Sequence, residues 1–337
     1  EEHMRVLLEE GPNLGSVSLS NAPSSHLMAY VLDTQHRLLQ VLNADVEEYS
    51  VIFTTGFTAG YRLFGDIYPF HKGSILLTLR DNHESIKHVI TSLGLRGGKC
   101  YVAPVKDPDL VISSNELRRL LKWKESRGDG GIFVYPAQSC LSGIRHSLNW
   151  IQEAQTNRWQ VLLDVSTYLP TGVLDLSVYK PEFVLGSLHH MLGYPSGMGF
   201  LLVKKQAFTI GKGLQSLKLS KPLKDLEEGN DFHVVSEDDN INLLSFAALS
   251  FGLLHLESVG LVPIQKRVLS LATWLTQMLK SLRHKDEEKH LLQVKYTLFG
   301  CFVSSKLYLV LNSCFCFFWE GGRDQCNLIY MVYICVQ

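Results

Sequence analysis

Short apolar runs recur through the first two thirds of the chain, separated by segments whose apolar positions repeat every three to four residues. Val51-Ile52-Phe53-Thr54, Ser74-Ile75-Leu76-Leu77, Gly131-Ile132-Phe133-Val134-Tyr135, Val161-Leu162-Leu163-Asp164 and Glu182-Phe183-Val184-Leu185 read as strands. Unbroken β-branched and leucine-rich runs of this length suit a sheet covered on both faces. Between them, Ile86, Val89, Ile90 and Leu93 share one helical face, and Ser113 with Glu116 forms a capping-box pattern before Leu117, Leu120 and Leu121. Such alternation predicts an α/β fold: a large, mainly parallel sheet flanked by helices. Met198 to Val203, behind a Gly-Tyr-Pro-Ser-Gly turn, predicts one further, antiparallel strand.

The texture changes after about Lys205. A polar, lysine-rich link from Lys212 to Asn230 leads to helical patterns at Leu243–Leu256 and Pro263–Leu282. The expected division is a large domain over 1–205, part of a smaller helix-rich domain over 206–295, and an atypical tail over 296–337. The tail mixes aromatics, cysteines and β-branched residues without regular spacing, which suggests a mis-spliced or disordered segment. Its apolar stretch Leu298–Phe318 is broken by Lys306 and Asn312, so no spanning helix is expected there. No internal repeat is visible.

Composition narrows the function classes. In 337 residues, 46% are hydrophobic and 19% charged, with a formal net charge of -1, which argues against nucleic acid or a membrane surface as partner. The opening residues do not form a secretory signal. The seven cysteines show neither a disulfide framework nor zinc-ligand spacing, so a reducing, cytoplasmic compartment is the expectation.

Candidate chemistry lies where strands give way to helices. Thr54-Thr55-Gly56-Phe57-Thr58-Ala59-Gly60 has the form of a phosphate seat, with backbone N–H groups at a helix start and a glycine that admits the ligand. The plain alternative is a cap and a turn. Asp164 ends an apolar strand, where α/β folds bind ligands, and suits either a protonated ring nitrogen or an N-cap. His83, between a strand and a helix, suits stacking on an aromatic ligand or a simple surface position. His189 and His190 are adjacent, point in different directions and have no third ligand nearby, so no metal site is expected.

Taken in order, Phe53 through Ala59, Asn82-His83-Glu84-Ser85, Tyr135-Pro136-Ala137-Gln138-Ser139 with Ser142-Gly143, Leu162-Leu163-Asp164, and Ser187 through Gly199 resemble the aminotransferase class V, cysteine-desulfurase-like domain of molybdenum cofactor sulfurases. Asn21-Ala22-Pro23-Ser24 resembles a worn form of that family's Asn-Pro-His-Ser element, and the resemblance runs from about Asn21 to Val294. It implies the type I fold of pyridoxal-phosphate-dependent transferases, a small-molecule substrate and a homodimer. It also implies that Thr55, Gly56 and Phe57 hold the cofactor phosphate with Ser187 and His189. His83 would stack on the ring, Asp164 would pair with its nitrogen, and Gln138 would lie near its phenolic oxygen.

Four departures qualify the resemblance. The lysine that links covalently to the cofactor matches His190, and an imidazole serves only as acid, base or hydrogen-bond partner. Cys140 stands where the family has asparagine, and the glycine-rich element expected around Gly211–Lys221 is not recognisable. The region of the persulfide-forming cysteine lies past the end of the match, so that role is not carried onto Cys301. Three readings follow: a degenerate domain that holds pyridoxal 5'-phosphate non-covalently, an active transferase or lyase using His190 as acid or base, and a gene product without function.

Overall fold

The computed structural model describes Arg5 and residues 25–106, 111–122, 131–210, 233–234 and 245–281. In chain order, α1 (Ser25–Val41), β1 (Tyr49–Thr54), α2 (Phe57–Ile67), β2 (Ile75–Leu79), α3 (Ile86–Leu95) and β3 (Lys99–Ala103) come first. After the short strands β4 (Val105–Lys106) and β5 (Val111–Ile112) follow α4 (Ser114–Leu121), β6 (Ile132–Pro136), α5 (Asn149–Thr156), β7 (Gln160–Asp164) and β8 (Phe183–Ser187). The chain continues through α6 (Leu188–Leu192), β9 (Gly199–Lys204), α7 (Lys205–Ile210), β10 (His233–Val234), α8 (Ser245–Val259) and α9 (Leu261–Ser281).

The main sheet has eight strands in the order β10-β1-β9-β8-β7-β6-β2-β3. Strand β9 runs antiparallel to both neighbours, and every other pairing is parallel. All five strands expected from apolar runs are present, as is the antiparallel one. Strand β3 was not anticipated: it pairs on one side only, and its first four residues keep solvent contact, which removes the apolar signature of an interior strand. The link at 212–230 and the tail at 296–337 lie outside the described residues.

Alternation along each strand divides the core in two. Val51, Phe53, Leu77, Phe133, Tyr135, Leu163, Val184 and Phe200 point to one face, packed with Leu38, Leu117, Ile151, Phe246, Leu249 and Leu253 of α1, α4, α5 and α8. Ile52, Leu76, Ile132, Val134, Leu162, Leu185 and Leu201 point to the other, under Tyr61, Phe64, Val89 and Leu93 of α2 and α3. Both faces are apolar because both are covered, which is why these strands read as continuous runs rather than alternating ones.

Two details differ from expectation or add to it. Ser113 precedes α4 in extended conformation but makes no side-chain cap bond, and Glu116 instead accepts from Arg119 Nη2 at 3.0 Å. The expected capping box is therefore not formed: an (i, i+3) ion pair holds the glutamate. Helix α8, from the segment expected as a smaller domain, packs on the large-sheet core, with Phe246 edge-on to Phe53 at 5.0 Å. Among the described residues no single helix is long and apolar enough to cross a membrane; α8 and α9 satisfy that test only together, across a 75° bend.

Candidate functional site

Sheet register gathers the candidate residues at one edge. Pro136 stands beside Asp164, Asp164 beside Leu185, Ser187 beside Gly199, and Gly199 beside Thr54. The ends of β6, β7, β8 and β1 thus form one continuous rim, at the carboxyl edge where open α/β sheets bind ligands. Thr55, Gly56, Gln138, Asp164, Ser187 and the helix starts that follow them lie along it.

At the β1 corner, Gly56 has φ of 136°, a backbone conformation that a Cβ strains. It precedes α2 without a side-chain cap bond, so the first N–H groups of that helix are offered to the rim. Thr54 Oγ1 donates to the Gly56 carbonyl at 2.8 Å and fixes the loop from below. At the β8 corner, Ser187 is buried and caps the five-residue helix α6, its Oγ accepting from His190 N–H at 3.3 Å. His189 and His190 project outward, their rings 5.5 Å apart.

Asp164 is 2% exposed. Its Oδ1 accepts from the Ser166 N–H at 2.9 Å and the Ser166 hydroxyl at 2.7 Å, while Oδ2 lies 3.2 Å from the Tyr61 hydroxyl. Burial pushes its carboxyl up to about 6, against the hydrogen bonds from Ser166 and Tyr61 that favour the ionised form. Partial burial and then neighbouring His189 hold His190 below the usual histidine range, and the Ser166 backbone opposes them.

His83 is held from two sides. Its Nδ1 accepts from Ser85 N–H at 3.1 Å, which leaves the proton of the neutral ring on Nε2. Its ring meets the edge of Phe57 at 5.0 Å. Burial depresses its pKa, Glu84 opposes that, and His190 depresses it further.

Gln138 is buried, and its Oε1 accepts from Arg145 Nε at 3.0 Å. Arg145 also donates through Nη2 to the Thr171 carbonyl at 2.8 Å and lies 5.1 Å above the Tyr168 ring. Cys140 follows two residues later. Burial first, then the Asp164 charge with smaller contributions from Asp81 and Glu84, pushes its thiol up to about 11, against an opposing backbone hydrogen bond. A thiol so placed stays protonated near neutrality and is a poor nucleophile.

Four partners were missed from sequence. Tyr61 stands four residues after Phe57 on the inward face of α2, and that helical spacing was the available signal. Ser166, two residues past Asp164, was equally near in the chain. Arg145 meets Gln138 only because residues 138 and 145 form an isolated antiparallel bridge. His146 Nε2 lies 3.0 Å from Asp81 Oδ2 in a buried pair below the site, and no sequence spacing announces it. Among the described residues no three potential metal ligands gather.

With this geometry in view, comparison with known proteins is decisive at one level. The aminotransferase class-V family pattern matches residues 14–290. The chain belongs to the aminotransferase class-V family. This class-V chain is 27% identical over 300 residues to a molybdenum cofactor sulfurase of Arabidopsis thaliana, covering 77% of its own length and 36% of the plant protein. It is 31% identical over 290 residues to the Homo sapiens molybdenum cofactor sulfurase, covering 76% of itself and 31% of that relative. It therefore spans about a third of the length of these relatives. Among solved structures, a cysteine desulfurase from Thermococcus onnurineus NA1 superposes with a TM-score of 0.66 at 16% identity, over 86% of this chain and 73% of the other. The cystine C-S lyase C-DES, in complex with cysteine persulfide, superposes with a TM-score of 0.65 at 16% identity, over 84% and 75%. The fold is that of the pyridoxal-phosphate-dependent type I enzymes.

The residues present fit that cofactor in part. An uncapped helix start suits its phosphate, a buried carboxylate suits a protonated ring nitrogen, and a neutral histidine suits the ring face. Residue 190 supplies an imidazole, which forms no covalent link to an aldehyde of the kind an amine forms.

Proposed function

We propose that this class-V chain is a cysteine-desulfurase-like domain that holds pyridoxal 5'-phosphate without a covalent bond and does not carry out cysteine desulfuration. In this reading the Thr55-Gly56-Phe57 corner, Ser187 and His189 take the phosphate, His83 covers the ring, Asp164 meets the ring nitrogen, and Gln138 meets the phenolic oxygen. Bound there, the cofactor would supply an electron sink for amino-acid chemistry.

The carrying observation is His190, an imidazole at the position where the resemblance requires an amine. Cys140 supports it: the thiol on this rim is held protonated by burial and nearby carboxylates, unlike a sulfur-accepting nucleophile. Titration with pyridoxal 5'-phosphate, borohydride reduction and peptide mass spectrometry test the reading. Saturable binding with no label on any lysine is expected, whereas a reduced adduct on a lysine, or alanine released from cysteine, refutes it. His190→Lys restores a reducible link at residue 190 if only the anchor is missing.

One observation favours a second reading. His190 stands exposed at the rim next to the Ser187 corner and is held below the usual histidine range by partial burial and His189, so its neutral ring could accept a proton there. Deuterium exchange at the α-carbon of amino acids, dependent on the cofactor and lost in His190→Ala, would establish that reading over simple binding. A cytoplasmic homodimer completes the proposal. Its support is the cysteine usage and the kinship with dimeric folds, and light scattering of the purified chain tests the stoichiometry.

A further inference from the structure

Tyr61 is fully buried on α2 and was not among the residues the resemblance singles out. Its hydroxyl lies 3.2 Å from Asp164 Oδ2 and 3.2 Å from Asn82 Oδ1. The Asn82 amide can be oriented without ambiguity. Its Nδ2 faces the Thr78 hydroxyl at 3.0 Å and the Val134 carbonyl at 3.3 Å, and a carbonyl only accepts. Asn82 Oδ1 is therefore an acceptor, already taking the His83 N–H at 2.8 Å. A phenol has one proton, and here two acceptors compete for it.

The rest of Asp164 is committed, since both Ser166 donors go to Oδ1. Oδ2 thus depends on Tyr61, and it is the oxygen left for a further donor. The phenol ring is itself fixed, edge-on to Phe57 at 5.2 Å, while Phe57 lies edge-on to His83. Only the hydroxyl proton is free to turn.

We propose that Tyr61 is a specificity-determining residue of this rim: its hydroxyl donates to Asp164 Oδ2 in the ligand-free site and turns to Asn82 Oδ1 when a ligand presents the N–H of a protonated nitrogen heteroaromatic ring. This rests on the reading that a pyridine nitrogen meets Asp164. A ligand with that nitrogen competes with the Tyr61 hydroxyl for Oδ2, and one lacking it leaves the bond in place. Tyr61 therefore narrows the preference for a charged ring, and a side chain of the same shape without the hydroxyl widens it.

The test compares dissociation constants of pyridoxal 5'-phosphate and its 1-deaza analogue, measured by calorimetry at pH 7.5 on the chain and on Tyr61→Phe. The ratio of the deaza constant to the parent constant is expected to rise about tenfold in Tyr61→Phe, the scale of one hydrogen bond to a charged group. An unchanged ratio overturns the proposal. The hydrogen bond is also readable without ligand, from the Asp164 carboxyl carbon by ¹³C NMR. Besides Tyr61 from α2, the titratable group bearing on Asp164 is Cys140 from the loop after β6, and Ser166 donates from its own loop. Tyr61→Phe removes a donor to the ionised form only, so the carboxyl should titrate at higher pH; an unmoved titration overturns the proposal. If neither compound binds the wild-type chain, the function proposed above fails, and the ligand-free titration still decides the role of Tyr61.

Discussion

Gly199 lies directly against Gly56: a Cβ added at residue 199 would stand 2.8 Å from both the carbon and the oxygen of the Gly56 carbonyl, and 2.9 Å from Thr54 Oγ1. Two strands that are far apart in sequence, β1 and β9, thus share one tight corner. The loop at Gly56 rests on a strand position that has no room for a side chain.

Gly199→Ala should therefore disturb both stability and ligand binding. The colliding atoms are mainly backbone, which cannot rotate away, and a cost of about 1–3 kcal/mol is expected. Urea unfolding followed by circular dichroism measures it. A change within error would show that the corner yields more readily than its geometry implies.

The buried Asp81–His146 pair makes a second prediction. Its side chains are 2% and 3% exposed, His146 stacks on Trp150 at 5.4 Å, and Asp81 Oδ1 has no hydrogen-bond partner among the described residues. His146→Ala leaves the whole carboxylate without its imidazole partner. A loss of about 3 kcal/mol is expected from removing one member of a buried pair. Denaturant midpoints of the wild type and variant at one pH provide the measurement, and a loss below about 1 kcal/mol contradicts it.

Asp164 predicts the sign of a pH effect. Its folded-state value of about 6 lies above the ordinary 3.8, so between these limits the folded chain binds more protons than the unfolded one. Its contribution to stability is therefore full below the lower value and is lost as pH rises through about 6. Relative to Asp164→Asn, which cannot ionise, the wild type should lose up to about 1.4 kcal/mol per pH unit in that window. Parallel unfolding curves at pH 4.5, 5.5 and 6.5 read the slope, and an opposite sign rules out the burial argument.

Cys140 should be slow to alkylate. With its thiol pushed up to about 11, its thiolate fraction at pH 8 is about a hundredfold below that of an ordinary cysteine. Peptide mapping after timed iodoacetamide treatment follows this residue directly. Asp164→Asn removes the largest neighbouring charge and should accelerate the reaction, whereas fast labelling of the wild type contradicts the assigned environment.

Much of this site was legible before folding. Thr55, Gly56, Asp164 and Ser187 sit at transitions from an apolar strand to a polar turn, and such transitions are local signals. Val161-Leu162-Leu163 and Glu182-Phe183-Val184-Leu185 were equally clear, because interior strands covered on both faces must be apolar at successive positions. Lys99–Ala103 was not, since an edge strand carries no such obligation. Ser113 and Glu116 had the sequence of a capping box, yet Arg119 offered Glu116 a competing partner one turn on.

The amino-acid sequence by itself determined the alternation of strands and helices, the strand-end position of the candidate residues, and the imidazole at residue 190. Those properties depend on side-chain chemistry and on neighbours a few residues away. Only the tertiary structure decided which strand ends meet. The order β1-β9-β8-β7-β6 sets Thr54 beside Gly199 and Asp164 beside Pro136, and helix α2 crossing the sheet aims Tyr61 between Asp164 and Asn82. Contacts between residues 21 and 103 positions apart arise from packing two apolar faces, and no local pattern encodes them.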